Sequence, residues 1–316
     1  MLKFDKMKIV SDISNIEIYD EEVFEKILKN GVLAELRYRI ENPYYLYVEV
    51  DYLENELVIE FTGKILGKKY PMLISEETIM SCFAEINSNL GFSIKSDLMM
   101  EAEVVKCDVT SDIVWDDIPN LTHYVRNNLT NYQKYICRRM KNGNFVVEKN
   151  VSTSQYKKRM VIYDKGTEMA LSSNRGFLNC YFDGENPFVG KCRFELNLNS
   201  KKQVRSSLNI SDCTLRTVLT STQNPILDFL CEVLSKDEVK VDVSDLKSYQ
   251  MWLVLKDCDY DLQKVEAKLR QYYAKGNNFT KIMNPYRELL SSSQSSMIRR
   301  TLFDRLGMCQ SYFVSF

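Results

Sequence analysis

Between Lys191 and Ser200 polar and apolar residues alternate at every position, Cys192, Phe194, Leu196 and Leu198 against Arg193, Glu195, Asn197 and Asn199. A period of two is the mark of a strand with one buried face. The four apolar side chains are therefore expected to face a core and the four polar ones to face outward. Such a polar face is either plain solvent exposure or the floor of a site. KMKIVSD, AELRYRI, YYLYVEV, ELVIEFTG, MEAEVVKCDVT, FVVEK and KRMVIYDK also read as strands, rich in β-branched and aromatic residues and broken by polar turns. Helices are expected over DEEVFEKILKNG, closed by Gly31, and from Ser75 through TIMSCFAEINSNL to Gly91. A third is expected from Asp117 to Lys141, whose second half, YQKYICRRMK, would carry a basic face. After about residue 213 strand character fades, and NPILDFLCEVL, SDLKSYQMWLVLK, DLQKVEAKLRQYYAK, NPYRELLS and SSMIRRTLFDRLG read as helices. The pattern predicts an α+β domain over residues 1–215 and an all-helical module over 216–316. No internal repeat and no low-complexity linker is visible.

The chain has 316 residues, 45% of them hydrophobic, enough to bury a real core. One histidine, His123, excludes any chemistry that needs two imidazoles, and it reads as an ordinary helix residue. Nine cysteines without a CxxC pair read as reduced core thiols rather than a disulfide or zinc framework. No apolar run approaches the roughly 18 residues of a membrane span, and MLKFDKMKIVSD is too charged for a signal peptide. A cytoplasmic protein with no membrane association is expected. Neither GxxxxGK[ST] nor GxGxxG occurs, so a nucleotide-driven motor or a dehydrogenase has no support.

Charge is segregated beneath a net of −1. Residues 1–120 carry 12 Lys and Arg against 24 Asp and Glu, and residues 121–216 carry 17 against 7. Residues 217–261 are acidic again, and the tail from 262 carries 9 basic against 3 acidic residues. Two basic blocks suggest a polyanion met at two places. The candidates for that contact are Arg138, Arg139, Lys157, Lys158, Arg159 and Arg193 in the first block, and Lys264, Lys268, Arg270, Arg299 and Arg300 in the tail.

Three strand segments hold the chemistry-bearing residues: VVKCDVTSD with Asp108, RMVIYDKGTEM with Tyr163, Lys165 and Glu168, and KCRFELNL with Arg193 and Glu195. In one strand Tyr163 and Lys165 would point to the same side, bringing an ammonium near a phenol. A free phenol has a pKa near 10, so activating it at neutral pH takes roughly 4 kcal/mol of phenolate stabilisation. A lysine and a divalent cation could supply that together. Asp108 and Glu195, on different strands, are natural oxygen ligands for Mg²⁺ or Mn²⁺, and Glu168 could close the set. Taken singly, Tyr163 also reads as core, Lys165 as a solvated turn residue, and Arg193 with Glu195 as a surface ion pair.

IYDKGTEM, followed about thirty residues later by CRFELNLNS and preceded by the Asp-bearing VVKCDVTSD, resembles the replication proteins of the filamentous-phage gene II/X type. Those are rolling-circle initiators. A similar Tyr-x-Lys and Arg-x-Glu order occurs in trans-acting rolling-circle initiators of Gram-positive plasmids, and FDKMKIVSD and LVIEFTGKILGKKY fit that branch. The resemblance covers about residues 4–215. It implies a nuclease domain built on a mixed or antiparallel sheet, like that of the His-hydrophobic-His nucleases but without the His pair. It also implies a metal-dependent reaction in which a tyrosine attacks one phosphodiester at the origin. That step forms a 5′-phosphotyrosyl link, frees a 3′-OH, and later rejoins the strand. Carried over, Tyr163 is the nucleophile, Lys165 its activating neighbour, and Asp108 and Glu195 hold the metal. Lys106 departs from the RxD pattern of the family, and Tyr156, in the basic STSQYKKR, is a rival nucleophile. The implied partners are single- and double-stranded origin DNA with a host helicase and DNA polymerase; a homodimer stays open. A reading from another class, a non-catalytic DNA-binding regulator, uses the same basic residues, and a tyrosine recombinase fits less well with one histidine.

Overall fold

The eight expected strands form and, with two more, pair into one ten-stranded sheet. The computed structural model describes residues 1–89, 91–129, 134–140, 143–151, 157–234, 245–258, 262–273, 278–293 and 295–311. The strands are β1 (Phe4–Asp12), the short β2 (Ile16–Ile18), β3 (Glu25–Lys29), β4 (Val32–Ile40), β5 (Leu46–Asp51), β6 (Glu56–Thr62) and the short β7 (Phe92–Ile94). They continue with β8 (Glu103–Val114), β9 (Tyr135–Arg139), β10 (Phe145–Lys149), β11 (Arg159–Asp164) and β12 (Lys191–Leu198). The sheet order is β3-β4-β5-β6-β1-β8-β12-β11-β10-β9, with β2 and β7 forming a separate pair. Every pairing is antiparallel.

The order contains a duplication that the residues do not advertise. β1 is followed by the meander β3–β6, whose last strand returns to pair with β1. β8 is followed by the meander β9–β12, whose last strand returns to pair with β8. The two halves meet where β1 and β8 pair.

One face of the sheet is apolar throughout, with Met7, Ile59, Val48, Cys107, Phe194, Ile162 and Val147 all buried. Helices α5 (Lys201–Leu208) and α6 (Leu215–Thr220) pack on β8, α5 also on β12, and bury Val204, Leu208, Leu215, Val218 and Leu219. The opposite face carries most of the sheet's polar side chains, together with the buried Val58, Val146 and Val161, the last two packed with Tyr163. Because side chains alternate along a strand, the register places Lys6, Asp108, Asn197 and Arg159 in one cross-strand row on that face. Thr110 and Glu195 lie in the next row, and Asp112, Arg193 and Tyr163 in the one after.

Two expected helices are corrected. Residues 20–31 form a short 3-10 turn and then β3, because Asn30 (φ 54°) and Gly31 (φ 79°) both take positive φ. That is the two-residue turn of a β3–β4 hairpin, not a helix cap. The expected helix 117–141 stops early: α2 spans Ile118–Asn127, and Tyr135–Arg139 is edge strand β9. Alternating Tyr135 and Cys137 against Lys134 and Arg138 suit a strand as well as a helix face, and pairing with β10 decides it. The helix begun near Ser75 is α1 (Ile79–Asn87).

Beyond the sheet come α7 (Pro225–Val233), α8 (Leu246–Asp257), α9 (Leu262–Leu269), α10 (Phe279–Ser293) and α11 (Ser295–Ser311). The protein is thus α+β, with a ten-stranded antiparallel sheet in its N-terminal part and a mostly helical C-terminal region. It divides into two compact units, Met1–Ile118 with Gln133–Phe229 and Leu306–Phe316, and Pro119–Tyr132 with Leu230–Arg305. The division follows packing rather than chain order, so it does not run at residue 215. The second unit has its own core, with Leu255, Cys258, Val265, Met283, Leu289 and Leu290 buried together. Among the described residues no helix is long and apolar enough to cross a membrane.

Candidate functional site

At one end the polar sheet face is covered. The 3-10 segment Gly63–Met72 brings Tyr70 over it, and Tyr70 packs with Met169, Phe177, Leu178 and Phe188. Helices α3 (Lys165–Met169) and α4 (Arg175–Phe182) belong to the same cover. Gly67 permits the close fit, since with φ 55° it sits where a Cβ would come 2.7 Å from the Tyr181 ring.

Under this cover lies Arg193, which is 0% exposed. The expectation that it faces outward is corrected: it points to the polar side, but that side is roofed at this point. Its Nε and Nη2 donate to Asp112 Oδ1 and Oδ2 at 2.6 and 2.7 Å, a bidentate fork. Its Nη1 donates to Tyr70 Oη at 2.9 Å and lies 2.9 Å from Asp5 Oδ1 and 3.9 Å from Glu195 Oε1. Arg193 is therefore the hub of a buried charge cluster, not a freely offered DNA contact.

Tyr163 stands beside it on β11 and is 7% exposed. Its hydroxyl donates to Glu195 Oε1 at 2.5 Å. Burial, and then the Glu195 carboxylate, push the phenol well above its usual range. Glu195 is itself pushed up to about 8, by burial first and by the charge of Asp5 second, against the pull of Arg193. Asp5 goes the other way: burial would raise it, but Arg193, Lys165 and a Tyr70 hydrogen bond hold it below the usual carboxylate value. Tyr163 and Glu195 thus form a hydroxyl–carboxyl pair whose proton sits on the phenol side when Glu195 is ionised.

Lys165 is not on the strand. Asp164 accepts from Thr167 N at 3.0 Å and from Thr167 Oγ1 at 2.8 Å, a side-chain cap that ends β11 and starts α3 at Lys165. The ammonium still reaches the cluster, 5.7 Å from the Tyr163 ring centroid and 5.3 Å from that of Tyr70. Its hydrogen bond goes to Glu168 Oε2 at 2.6 Å. Asn174 Nδ2 donates to the other oxygen of Glu168 at 2.9 Å, and Lys64 Nζ donates to Asn174 Oδ1 at 2.6 Å. Gly166 lets α3 lie against the backbone of Phe188 and Val189, where a Cβ would come within 3.0 Å.

The three expected metal ligands are not gathered. Asp108 accepts from Asn197 Nδ2 at 2.8 Å, Glu195 accepts from Tyr163, and Glu168 is held by Lys165 and Asn174. Each carboxylate already has a protein donor, and burial raises Asp108 above the usual carboxylate value. Among the described residues no group of three or more His, Cys, Asp or Glu is arranged to hold a metal. The donor set therefore does not fit the Mg²⁺ or Mn²⁺ centre expected from Asp108, Glu195 and Glu168.

The basic residues fall in different settings. Arg138 and Lys157 both pair with the buried carboxylate of Glu148, at 2.8 and 3.1 Å, while Arg139 is exposed. Lys158 and Arg159 are half-buried. In the tail, Lys268 pairs with Asp257, and Arg270 pairs with Glu266 at 2.6 Å and stacks 4.3 Å from the Phe279 ring centroid. Arg299 lies 5.3 Å from the Phe303 ring. Lys264 is on α9. These tail cations were expected to have few compensating acids, and Lys268 and Arg270 each have one. Tyr156 and the side chain of Arg300 lie outside the described residues.

Sequence reading missed Asp5, Lys64, Tyr70 and Asp112. Asp112 ends the segment VVKCDVTSD, two alternations from Asp108, so its face was readable although its partner was not. Asp5 and Tyr70 lie in FDKMKIVSD and GKKY, where nothing local marks them. No protein-family model matches the chain, and neither a curated protein nor a solved structure does.

Proposed function

We propose that the protein is a DNA strand-nicking and rejoining enzyme of the rolling-circle initiator kind, with Tyr163 as its nucleophile. The observation that carries this reading is the hydrogen bond from Tyr163 Oη to Glu195 Oε1, a nucleophile held by a carboxylate base at 2.5 Å. Ionised Glu195 accepts the phenolic proton as Tyr163 Oη bonds to phosphorus. The bond from phosphorus to the 3′-oxygen breaks, and that oxygen takes a proton from water to become a free 3′-OH. The strand is left as a 5′-phosphotyrosyl ester, and rejoining runs the same steps backward. Lys165 and Lys64 place positive charge near the phosphoryl oxygens, and Arg193 fixes Glu195 and Asp112. No step is assigned to a metal.

The second reading, a non-catalytic DNA-binding regulator, is favoured by one observation: Tyr163 is 7% exposed and its phenol is raised, not lowered. In that reading the cluster is a structural polar network. Incubating supercoiled DNA carrying the sequence that flanks this gene, then digesting with protease, separates the two. Tyr163→Phe is expected to fold and bind DNA but form no covalent adduct. An adduct on another tyrosine removes Tyr163 as the nucleophile, and no adduct with the unaltered protein removes the enzymatic reading. Nicking abolished by EDTA would show that a divalent cation takes part.

A further inference from the structure

Asp5 stands where β1 breaks step with its neighbour. Phe4 pairs with Val109 and Lys6 with Asp108, so β1 has one residue too many against β8, and that residue is Asp5. Strict alternation would put Phe4 on the face of Lys6 and send Asp5 to the apolar side with Met7. The bulge reverses this: Phe4 is buried on the apolar face with Val109, and Asp5 turns toward Arg193, two strands away. Re-aiming a side chain is what a bulge does. Gly63 leaves room for it, since a Cβ there would lie 3.4 Å from Asp5 Oδ1.

Two carboxylates now compete for one nitrogen. The fork to Asp112 uses Nε and Nη2 of Arg193, so Nη1 serves the other side of the cluster. Asp5 Oδ1 lies 2.9 Å from Nη1, while Glu195 Oε1 is left at 3.9 Å, a full ångström farther. Asp5 Oδ1 is buried with no hydrogen bond of its own, so its tie to the guanidinium is one of charge. Facing Glu195 are Tyr163 from β11, Arg193 from its own strand, Asp5 from β1 and Lys165 from α3; Asp112 and Tyr70 reach it through Arg193. Arg193 and Lys165 favour the ionised carboxylate, and Asp5, the strongest charge acting on it after burial, opposes them. We propose that Asp5 is a positioning residue: by occupying Arg193 Nη1 it sets the charge of the carboxyl that exchanges a proton with Tyr163. A carboxyl poised near the working pH serves both directions. In cutting, Glu195 takes the phenolic proton as Tyr163 Oη bonds to phosphorus. In rejoining, the 3′-OH bonds to phosphorus and gives its proton to water, and Glu195 returns a proton to Tyr163 Oη as the ester bond breaks. The proposal rests on the nicking reading for the role of Glu195 as base, but not for the tie between the two carboxyls.

The test is a carbon-13 NMR titration of the full chain labelled at its Asp and Glu carboxyls, with no DNA present. Glu195 is assigned through Glu195→Gln and Asp5 through Asp5→Glu. In the unaltered protein Glu195 should titrate at about 8 and Asp5 below its ordinary 3.8. In Asp5→Asn the Glu195 midpoint should fall by about one unit, a tenfold change in proton affinity. It should stay above 4.5, because burial remains. Asp5→Glu keeps the charge and should restore most of the shift. Asp12→Asn, which removes an exposed charge from the same strand, should leave Glu195 where it is. An unmoved Glu195 in Asp5→Asn would overturn the proposal. If Asp5→Asn does not fold, the unaltered protein decides: the Asp5 signal should step as Glu195 ionises, and the lack of a step would overturn the proposal equally. The pH profiles of nicking and of rejoining, taken on the same variant, should move down together with the carboxyl. A carboxyl that moves while the nicking profile stays would keep the tie between Asp5 and Glu195 and remove Glu195 as the base.

Discussion

The two halves of the sheet share one strand order and differ in what covers their polar face. In β1 and β3–β6 the charges, Asp5 apart, pair locally outside the roofed cluster: the Arg37 side chain is 39% exposed and bridges the buried Glu35 and the half-buried Glu49. In β8–β12 the equivalent face is roofed by Gly63–Met72, α3 and α4, and Arg193 loses all contact with solvent. The strand framework alone therefore does not make a site. A roof does, because removing water turns ordinary ion pairs into a cluster that shifts proton affinities.

The largest test of that contrast is to remove the buried hub. Arg193→Leu should destabilise by about 3–5 kcal/mol, because Asp5 and Asp112 are left buried without their counter-charge. Urea denaturation at neutral pH measures it. A loss below about 1 kcal/mol would mean that the roof opens freely and the two halves do not differ.

Next in size is a pH effect carried by Glu195. Its folded value of about 8 lies above the ordinary 4.5, so the folded state holds a proton that the unfolded chain has released between those values. The stabilisation is therefore full below about 4.5 and is lost as pH rises through about 8. Glu195→Gln should flatten the stability profile across that window, by on the order of a few kcal/mol at its alkaline end. If Glu195 is also the base, nicking should rise with pH through the same midpoint, since only the ionised carboxylate accepts the phenolic proton. An unchanged stability profile in Glu195→Gln would show that the carboxyl titrates normally.

Two glycines compare the halves a third way. Gly67, within the roof, has positive φ and would drive a Cβ into Tyr181, whereas Gly31, in the β3–β4 turn, has positive φ with nothing within 4 Å. Gly31→Ala should lose about 1 kcal/mol from backbone strain alone. Gly67→Ala should lose about 1–3 kcal/mol, strain and collision together, and should loosen the roof. Equal losses in thermal melts would show that the Tyr181 ring moves aside without resistance.

How much of this was legible in the residues depends on range. The alternation in β12 set its two faces correctly, and the late helices were readable from their caps and periodicity. Lys165 was misread as the end of the strand because the capping Asp164, the last residue of β11, was weighed less than the apolar run before it. Asn30-Gly31 was read as a helix end although the same pair serves a hairpin. The site itself was half legible. Tyr163, Lys165, Glu195 and Arg193 were singled out and do come together, but Asp5, Tyr70 and Asp112 join them only through register and through a roof that closes over more than a hundred residues of separation. Asp108 was expected beside Glu195, and the β8–β12 register instead sets Thr110 there. A one-strand pattern says which face a side chain takes; it does not say which rung of the neighbouring strand it meets.

The smallest expected effect closes the comparison from its open side. Arg37 makes two ion pairs, with Glu35 and with Glu49 at 3.3 Å, on the same sheet face as Arg193. Its side chain is 39% exposed, however, so although Nε is buried, water competes for the outer part of the guanidinium. Exposed pairs of this kind contribute about 0–1 kcal/mol. Arg37→Gln should therefore shift the urea midpoint only slightly. The remaining shift should fade between low and high salt, because the Debye length shrinks from about 30 Å at 0.01 M to about 3 Å at 1 M. The loss in Arg193→Leu should persist at high salt, since buried charges are screened far less. A salt-insensitive loss of several kcal/mol at Arg37 would mean that the first half hides a second roofed cluster and that the two halves are alike after all.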